Sequence, residues 1–356
     1  MNTFLTKAME RGILPDSLIR FGIRKLCQDR LAEITERDLD LRLKKRREYL
    51  SMLRGSPLAV ATREANEQHY EVPSSFFALV LGRNKKYSSS HFSSKDLTLD
   101  QAEDEALEIT MSRANLKNGQ KILELGCGWG SLTLAMARKF PQSEIIAISN
   151  SNSQREWIQS KASSENLTNV KILTRNIVEV TDLSAEFGEF DRVVSVEMFE
   201  HLRNYELLFS RISKWLKPSG ELFVHIFTHR DASYLFETEG EHNWMGRYFF
   251  TGGQMPAQDL FLDFQRDLEL VDQWAWSGIH YGETSERWLQ NLDQNRSEVL
   301  RILKETYGEE NAVIWLNRWR VFFMACAELF NFDGGREWGV THYRFINRKK
   351  APGGAS

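Results

Sequence analysis

Two short segments concentrate side chains that chemistry would use. Glu197-Met198-Phe199-Glu200-His201 sets two carboxylates and an imidazole within five residues. Such a group can hold a cation and accept a proton near neutral pH. It follows directly on the apolar run Phe190-Asp191-Arg192-Val193-Val194-Ser195-Val196, so it begins where a buried strand ends. The same residues also read as purely local structure, an N-cap acid followed by first-turn charges. The second segment is Glu124-Leu125-Gly126-Cys127-Gly128-Trp129-Gly130-Ser131, between a short apolar run and a helical stretch. Glycines in that setting, Gly126 and Gly128 foremost, permit positive φ and a close approach of ligand to backbone.

The spacing of the turn discriminates between ligands. A dinucleotide site prefers Gly-x-Gly-x-x-Gly or Ala, whereas here the glycines run Gly-x-Gly-x-Gly and Ser131 takes the sixth position. Glu124 would repel a pyrophosphate but attract the ammonium and sulfonium of S-adenosylmethionine, so the turn predicts the methyl donor rather than NAD. A ribose-binding acid is missing after the second strand. Ser149-Asn150-Ser151 stands there, with Gln154 one turn later, and both amides can hydrogen-bond ribose hydroxyls. Asn176, just after the third strand, is placed for an adenine-amine contact.

Elements that could position these residues follow from periodicity. Residues 1–70 are charged and helix-favouring, with a basic cluster at Arg42, Lys44, Lys45, Arg46 and Arg47 that reads as a solvated helix face rather than a phosphate or lipid surface. Strands are predicted over Lys121–Leu125, Glu144–Ser149, Val170–Thr174, Phe190–Val196 and 221–226, with two more over Leu268–Trp276 and 339–347. Helices are predicted over 101–114, 131–140, 153–166 and 205–216, and two long ones over 283–307 and 311–330. Strands alternating with helices imply an α/β, doubly wound, mostly parallel sheet with its ligand at the carboxyl ends of the strands.

Composition bounds the rest. The chain has 356 residues, is 42% hydrophobic and 27% charged, and carries a net charge of −3. It can bury a full-sized core, and no global positive field draws it to nucleic acid. Three distant cysteines, Cys27, Cys127 and Cys326, make no disulfide framework and fit a reducing, cytoplasmic setting. The N-terminus lacks a signal-peptide pattern, and no run approaches a transmembrane span. His225, His229 and His242 have spacings that cross strand and loop, which argues against a metal site.

Several motifs coincide: Tyr87-Ser88-Ser89, Glu124 to Ser131, Ser149-Asn150 with Gln154, Glu197 to His201, Phe249-Phe250-Thr251-Gly252-Gly253-Gln254-Met255-Pro256, and Ala325-Cys326-Ala327-Glu328. Together, over roughly residues 70–347, they resemble the cyclopropane-fatty-acid-synthase-like methyltransferases, and within these the coclaurine and phenylalkylamine N-methyltransferase branch. The resemblance implies a Rossmann-like class I S-adenosylmethionine-dependent methyltransferase with a seven-stranded sheet. It implies an N-terminal helical cap over 1–85 and a methyltransferase domain over 86–350. Helical insertions at about 228–266 and 277–336 would cover the active site, ahead of a loose tail at 351–356. By motif match, Ser88, Gly126, Gly128, Asn150, Gln154, Asn176 and Ile177 would line the cofactor, with Tyr87 beside its methionine end. A homodimer is a family-level expectation.

The same resemblance implies that Glu197, Glu200 and His201 are catalytic. An ammonium has no lone pair and, with a pKa of about 10 like that of lysine, must lose its proton before attack. His201 would act as base, and Glu200 or Glu197 would orient it or hold the ammonium. Cys326 is an inherited catalytic candidate that reads equally as a buried structural thiol. Phe250, Tyr281, Trp288, Phe322, Phe323, Phe332 and Trp338 are candidates to hold an arylalkyl amine. The alternative is a lipid-modifying cyclopropane synthase. Such enzymes hold a bicarbonate ion with a loop Cys and with positions matching Glu200, His225 and Tyr281. Here the loop position is Ser89. A third reading is a binding module without catalysis.

Overall fold

The computed structural model describes residues 3–60, 72–237 and 243–348. The predicted strands assemble as β1 (Lys121–Leu125), β2 (Glu144–Ser149), β3 (Val170–Thr174), β4 (Phe190–Val196) and β5 (Leu216–His229). Two short strands, β6 (Tyr234–Leu235) and β7 (Gln254–Met255), pair as a separate ribbon, and β8 (Leu268–Trp276) and β9 (Trp338–Asn347) return to the main sheet. The seven-stranded order is β3-β2-β1-β4-β5-β9-β8. The first five strands are parallel, and β9 runs antiparallel between β5 and β8. This is the class I methyltransferase architecture. Its strand order reverses at β1, which opens a crevice at the carboxyl ends of β1, β2 and β4.

Continuous apolar runs appear because the sheet is covered on both faces. Successive residues of β1 serve opposite sides. Ile122 packs with Leu107, Met111 and Met136 of the helices Leu99–Arg113 and Ser131–Lys139, whereas Leu123 and Leu125 pack with Phe199, Phe209 and Ile212. A third apolar cluster, over the carboxyl side of the crevice, joins the helices Gly278–Gln294, Arg296–Tyr307 and Glu309–Asn331 to the N-terminal helices. No helix among the described residues is long and apolar enough to cross a membrane.

Three expectations change. The stretch expected as one helix over 283–307 is two, divided at Asn295, whose side chain donates to the Leu79 carbonyl at 3.0 Å and to Asn291 at 3.0 Å. Strand β5 begins earlier than expected because Leu216 already pairs with Phe190. The residues up to Gly220 then form an irregularity before Glu221 pairs with Arg192, and Pro218 lies in that irregularity, where no ladder donor is needed. Among its described residues, the insertion at 228–266 is not mainly helical. Those residues carry the β6–β7 ribbon, the short helix Trp244–Tyr248 and a 3₁₀ turn. The insertion's glycines and turn residues favour that form over helix. His242 and the tail 351–356 lie outside the described residues.

Charged side chains fix the N-terminal helices to this frame. Arg20 donates to Glu286 at 2.5 and 2.9 Å and to Glu328 at 2.9 Å, and Arg24 reaches Glu328 at 2.8 Å. The Glu328 of the sequence motif thus serves as an anchor for the helix Asp16–Ile34. In the basic cluster, Arg46 pairs with Asp259 and Asp263, Lys45 pairs with Glu36, and the remaining members lie on an exposed face. Replacing the part-buried Arg20 by Met leaves two carboxylates without their shared donor and should lower stability by about 1–3 kcal/mol. Urea denaturation measures this, and an unchanged midpoint would contradict the anchoring role.

Candidate active site

The glycine turn builds one half of the crevice. Leu125 ends β1, and the Gly126 and Cys127 amides both donate to the Ile148 carbonyl at 3.0 Å, which folds the turn back over β2. Gly126 has φ +77° and a Cβ there would lie 2.7 Å from Met198, so only glycine fits. Gly128 has φ +49°, yet a Cβ there would meet nothing within 4 Å among the described residues, because its backbone faces open cavity. Glu124 sits beneath the turn, 2% exposed, and accepts from the Thr133 hydroxyl. Burial pushes its carboxyl up to about 7.

Residues at the next two strand ends continue the wall. Ser149 donates to Gln154 Oε1 at 2.7 Å, which leaves the Gln154 amide nitrogen as the group able to donate to a ligand. Asn176 uses its Oδ1 to accept from the Val178 amide at 3.0 Å, an Asx turn that fixes the carboxamide after β3. Asn150, Gln154, Asn176 and Ile177 all line the same cavity as Gly126 and Gly128.

The other half centres on Glu197. This residue has φ +46°, a left-handed conformation that is costly for a residue with a side chain, and its amide donates to the His225 carbonyl at 2.9 Å. Its carboxylate gathers donors from three elements. Oε1 accepts from the Ser89 amide at 3.0 Å and lies 3.2 Å from His225 Nε2, and Oε2 accepts from the Tyr281 hydroxyl at 2.6 Å. The loop that supplies Ser89 is itself held from within. Lys86 is fully buried, donates to Ser88 Oγ at 2.6 Å and to the Ser89 carbonyl, and burial lowers its ammonium to about 8. Glu103 closes the other side by accepting from the Gly82, Asn84 and Lys86 amides at 3.0, 2.9 and 3.3 Å.

Glu200 stands on the 3₁₀ turn Phe199–His201, 1% exposed, and its Oε2 hydrogen-bonds to none of the described residues. Burial first, and then the charge of Glu197, pushes its carboxyl well above the usual range. His201 lies stacked on Phe250, with centroids 5.9 Å apart and planes 6° from parallel.

The cavity wall therefore brings together Tyr87, Ser88, Glu124 and the residues of the glycine turn with Glu197, Glu200 and His201. Among the aromatic candidates, Phe250, Tyr281, Trp288 and Phe322 line it. Phe323, Phe332 and Trp338 are not among its described lining residues. Trp338 donates instead to the Tyr234 hydroxyl at 2.9 Å. Cys326 is also absent from that lining; it is buried, and burial together with the Glu197 charge holds its thiol protonated. Of the three histidines weighed for metal, His229 accepts from the Asp231 and Ala232 amides at 3.1 and 2.9 Å, and His225 serves Glu197. No described group of three side chains is arranged to hold a metal ion. Sequence reasoning missed Lys86 and also Lys85, which lines the cavity with its ammonium 3.2 Å from the Trp157 ring centre. The signal was the lysine pair directly before Tyr87-Ser88-Ser89.

This cradle fits S-adenosylmethionine, with open space over the Gly128 backbone, amide side chains at two strand ends and an acid beneath the turn. The mycolic acid cyclopropane synthetase family model matches residues 59–335. The (S)-coclaurine N-methyltransferase of Papaver somniferum is 36% identical over 344 residues, 96% of this chain and 97% of that protein. A crystal structure of coclaurine N-methyltransferase bound to N-methylheliamine and S-adenosylhomocysteine superposes with a TM-score of 0.91 at 33% identity, covering 96% of this chain and 98% of that one. A cyclopropane synthase from Mycobacterium tuberculosis shares the fold, with a TM-score of 0.67 at 20% identity over 82% of this chain and all of that one.

A cationic ligand should stabilise the ionised form of Glu124 and release its proton on binding. Affinity for S-adenosylhomocysteine, which carries the same ammonium, should then rise with pH and level off above about 7, where Glu124 is already ionised in the free protein. Calorimetry across that range measures the effect. Glu124→Gln should flatten the pH dependence, and a slope unchanged in the variant would exclude Glu124 as its source.

Proposed function

The chain belongs to the mycolic acid cyclopropane synthetase family, and we propose that within it the protein is an S-adenosylmethionine-dependent N-methyltransferase acting on a small arylalkylamine or tetrahydroisoquinoline. The observation that carries this reading is the Glu197 carboxylate. The loop at Ser89, the ring of His225 and the hydroxyl of Tyr281, together with Glu200, match the positions at which the family resemblance has lipid-modifying enzymes hold bicarbonate, and here all but Glu200 are engaged by Glu197. The anion is part of the chain. The coclaurine N-methyltransferases, similar over nearly the whole length, support the amine class of substrate.

S-adenosylmethionine supplies an electrophilic methyl group on a positively charged sulfur. Tyr87, Ser88, Gly126, Gly128, Asn150, Gln154, Asn176 and Ile177 are the residues proposed to hold it, with Glu124 facing its cationic end. The chain's remaining task is to place a nitrogen with a free lone pair in line, and orientation of this kind accounts for a large share of the roughly 7–11 kcal/mol available from proximity. Phe250, Phe322 and Trp288 offer ring faces to the arylalkyl part and to the cation. Burial raises the Glu197 carboxyl pKa, the Lys86 charge, the Tyr281 hydroxyl and the Ser89 amide act against that rise, and with these partners in place Glu197 supplies a stationary negative charge. Glu200 supplies the base, because its raised carboxyl pKa and unengaged Oε2 suit it to take the ammonium proton. His201, stacked on Phe250 at the same wall, is the second group able to accept it. Cys326 receives no role beyond packing. The three buried free cysteines support a cytoplasmic setting, and exposed apolar side chains such as Phe4 and Phe21 on the N-terminal helices support a homodimer.

Incubation with labelled S-adenosylmethionine and a panel of arylalkylamines should yield N-methylated product at a rate unaffected by bicarbonate depletion. Turnover of unsaturated phospholipid instead, dependent on bicarbonate, would reverse the assignment. Glu200→Gln should lower kcat by about 100- to 10,000-fold, with His201→Ala lowering it within the same range. Binding of S-adenosylhomocysteine should be unchanged in both. Because the acid form of Glu200 cannot accept a proton, kcat of the unaltered enzyme should fall as pH drops through its raised pKa. Equal losses of turnover and cofactor affinity would mark these residues as structural.

A further inference from the structure

Glu197 is one end of a longer hydrogen-bond chain that the amine chemistry above leaves unused. His225 on β5 and His342 on β9 are direct cross-strand partners, and His225 Nδ1 lies 2.9 Å from His342 Nε2. His342 Nδ1 in turn lies 3.0 Å from a guanidinium nitrogen of Arg113, the last residue of its helix. Both imidazoles are fully buried between sheet and helices, and Trp276 packs against both rings.

The direction of every bond in this chain follows from its outer end. A guanidinium donates and never accepts, and it keeps its charge throughout the working pH range. His342 Nδ1 must therefore accept. Burial holds both imidazoles neutral, so each carries one ring proton. The His342 proton is consequently on Nε2 and donates to His225 Nδ1. The His225 proton is then on Nε2 and points at Glu197 Oε1, 3.2 Å away.

We propose that Arg113 is a positioning residue for the methyl transfer. It fixes the Nε2–H form of His342 and, through it, of His225, so that a donor always faces Glu197 and holds its carboxylate ionised and stationary. The proposal rests on the assignment of Glu197 to the amine-handling wall made above. It also excludes the chain as an exit for the substrate proton, since every acceptor along it is already filled and Arg113 takes none. The proton leaves from Glu200 or His201 on the cavity side. Other groups act on the same carboxylate. Lys86 faces it from the loop, Tyr281 from the helix Gly278–Gln294, and Glu200 opposes it with like charge. Cys326 faces it from the helix Glu309–Asn331, and His91, packed on Trp276, faces His342.

Nitrogen-15 NMR of the imidazoles in the full-length protein with S-adenosylhomocysteine reads the tautomers directly. Both His225 and His342 should show a protonated Nε2 and an unprotonated Nδ1 near neutral pH. An Nδ1–H form of either in the unaltered protein overturns the proposal, whether or not any variant folds. In Arg113→Met, His342 should populate both tautomers, and the acid limb of kcat, which requires Glu197 and Glu200 ionised together and so titrates with the pair, should move to higher pH by about 0.5–1 unit. The plateau rate and S-adenosylhomocysteine affinity should hold. Arg113→Lys, which keeps a cationic donor, should restore the limb. A folded Arg113→Met with an unmoved limb also overturns the proposal. Absence of transfer to any amine by the unaltered protein would overturn the N-methylation reading instead, and leave the tautomer result standing.

Discussion

The structure depends on how the loop ahead of Ser89 and the end of β4 tolerate the buried carboxylates of Glu103, Glu197 and Glu200 beside the buried Lys86 ammonium. Glu103 reaches the loop from the helix Leu99–Arg113, Lys86 lies in the loop itself, and Glu197 and Glu200 stand just past the end of β4. An unpaired buried charge is expensive, so each acid must find donors or give up its charge. Glu103 takes backbone amides of the loop. Glu197 takes Ser89, His225 and Tyr281. Those donors are then spent, and Glu200, beside them without its own, is pushed toward the neutral form. Two carboxyls three residues apart, both raised by burial, thereby acquire different surroundings, which suit one to the proposed fixed anion and the other to the proposed base.

The scaffold explains why these donors converge. Strand β4 delivers Glu197 at the crevice edge, β5 runs beside it with His225 one ladder position away, and the helix Gly278–Gln294 crosses above with Tyr281. None of these elements is near another in sequence. The antiparallel return of β9 adds the last piece, since only the β5–β9 ladder sets His342 opposite His225. The helical cap that carries Tyr281, Trp288 and Phe322 is in turn tied down by the N-terminal helices through Arg20 and its two carboxylates. Distant surface ion pairs and the position of the aromatic wall are therefore parts of one packing problem.

Much of this was legible before any coordinates. The five parallel strands and the glycine turn carry local signals, because a strand buried on both faces reads as an unbroken apolar run and a positive-φ turn reads as glycine. The residues proposed to hold the cofactor are legible in the same way, Asn150, Gln154 and Asn176 from strand ends and Tyr87, Ser88 and Ile177 from the family resemblance, and all six line a single cavity. What stayed hidden was relational. The sequence offered Glu197 as a partner for His201, whereas the fold gives its carboxylate to three donors from far along the chain. The break at Asn295 depends on the Leu79 carbonyl, more than two hundred residues earlier. The role of Lys86 depends on full burial of a side chain that composition counts as surface. No periodicity announces such pairings, because each is decided by tertiary packing.

The left-handed backbone at Glu197 links these observations to chemistry. Such a conformation costs about 1–3 kcal/mol for a residue with a side chain, and it persists only where surroundings over-determine it. Here an amide bond to His225 on one side and three carboxylate contacts on the other do so. A free anion in the same place would need to be captured from solution and could leave, and it could also accept a proton and diffuse away with it. A tethered carboxylate does neither. For the proposed reaction, whose acceptor arrives as a cation and must lose a proton on the cavity side, permanent charge at the back of the site and an unengaged carboxylate of raised pKa at the front would divide the work between two residues. A site that borrowed its anion would have to assemble that division at every turnover.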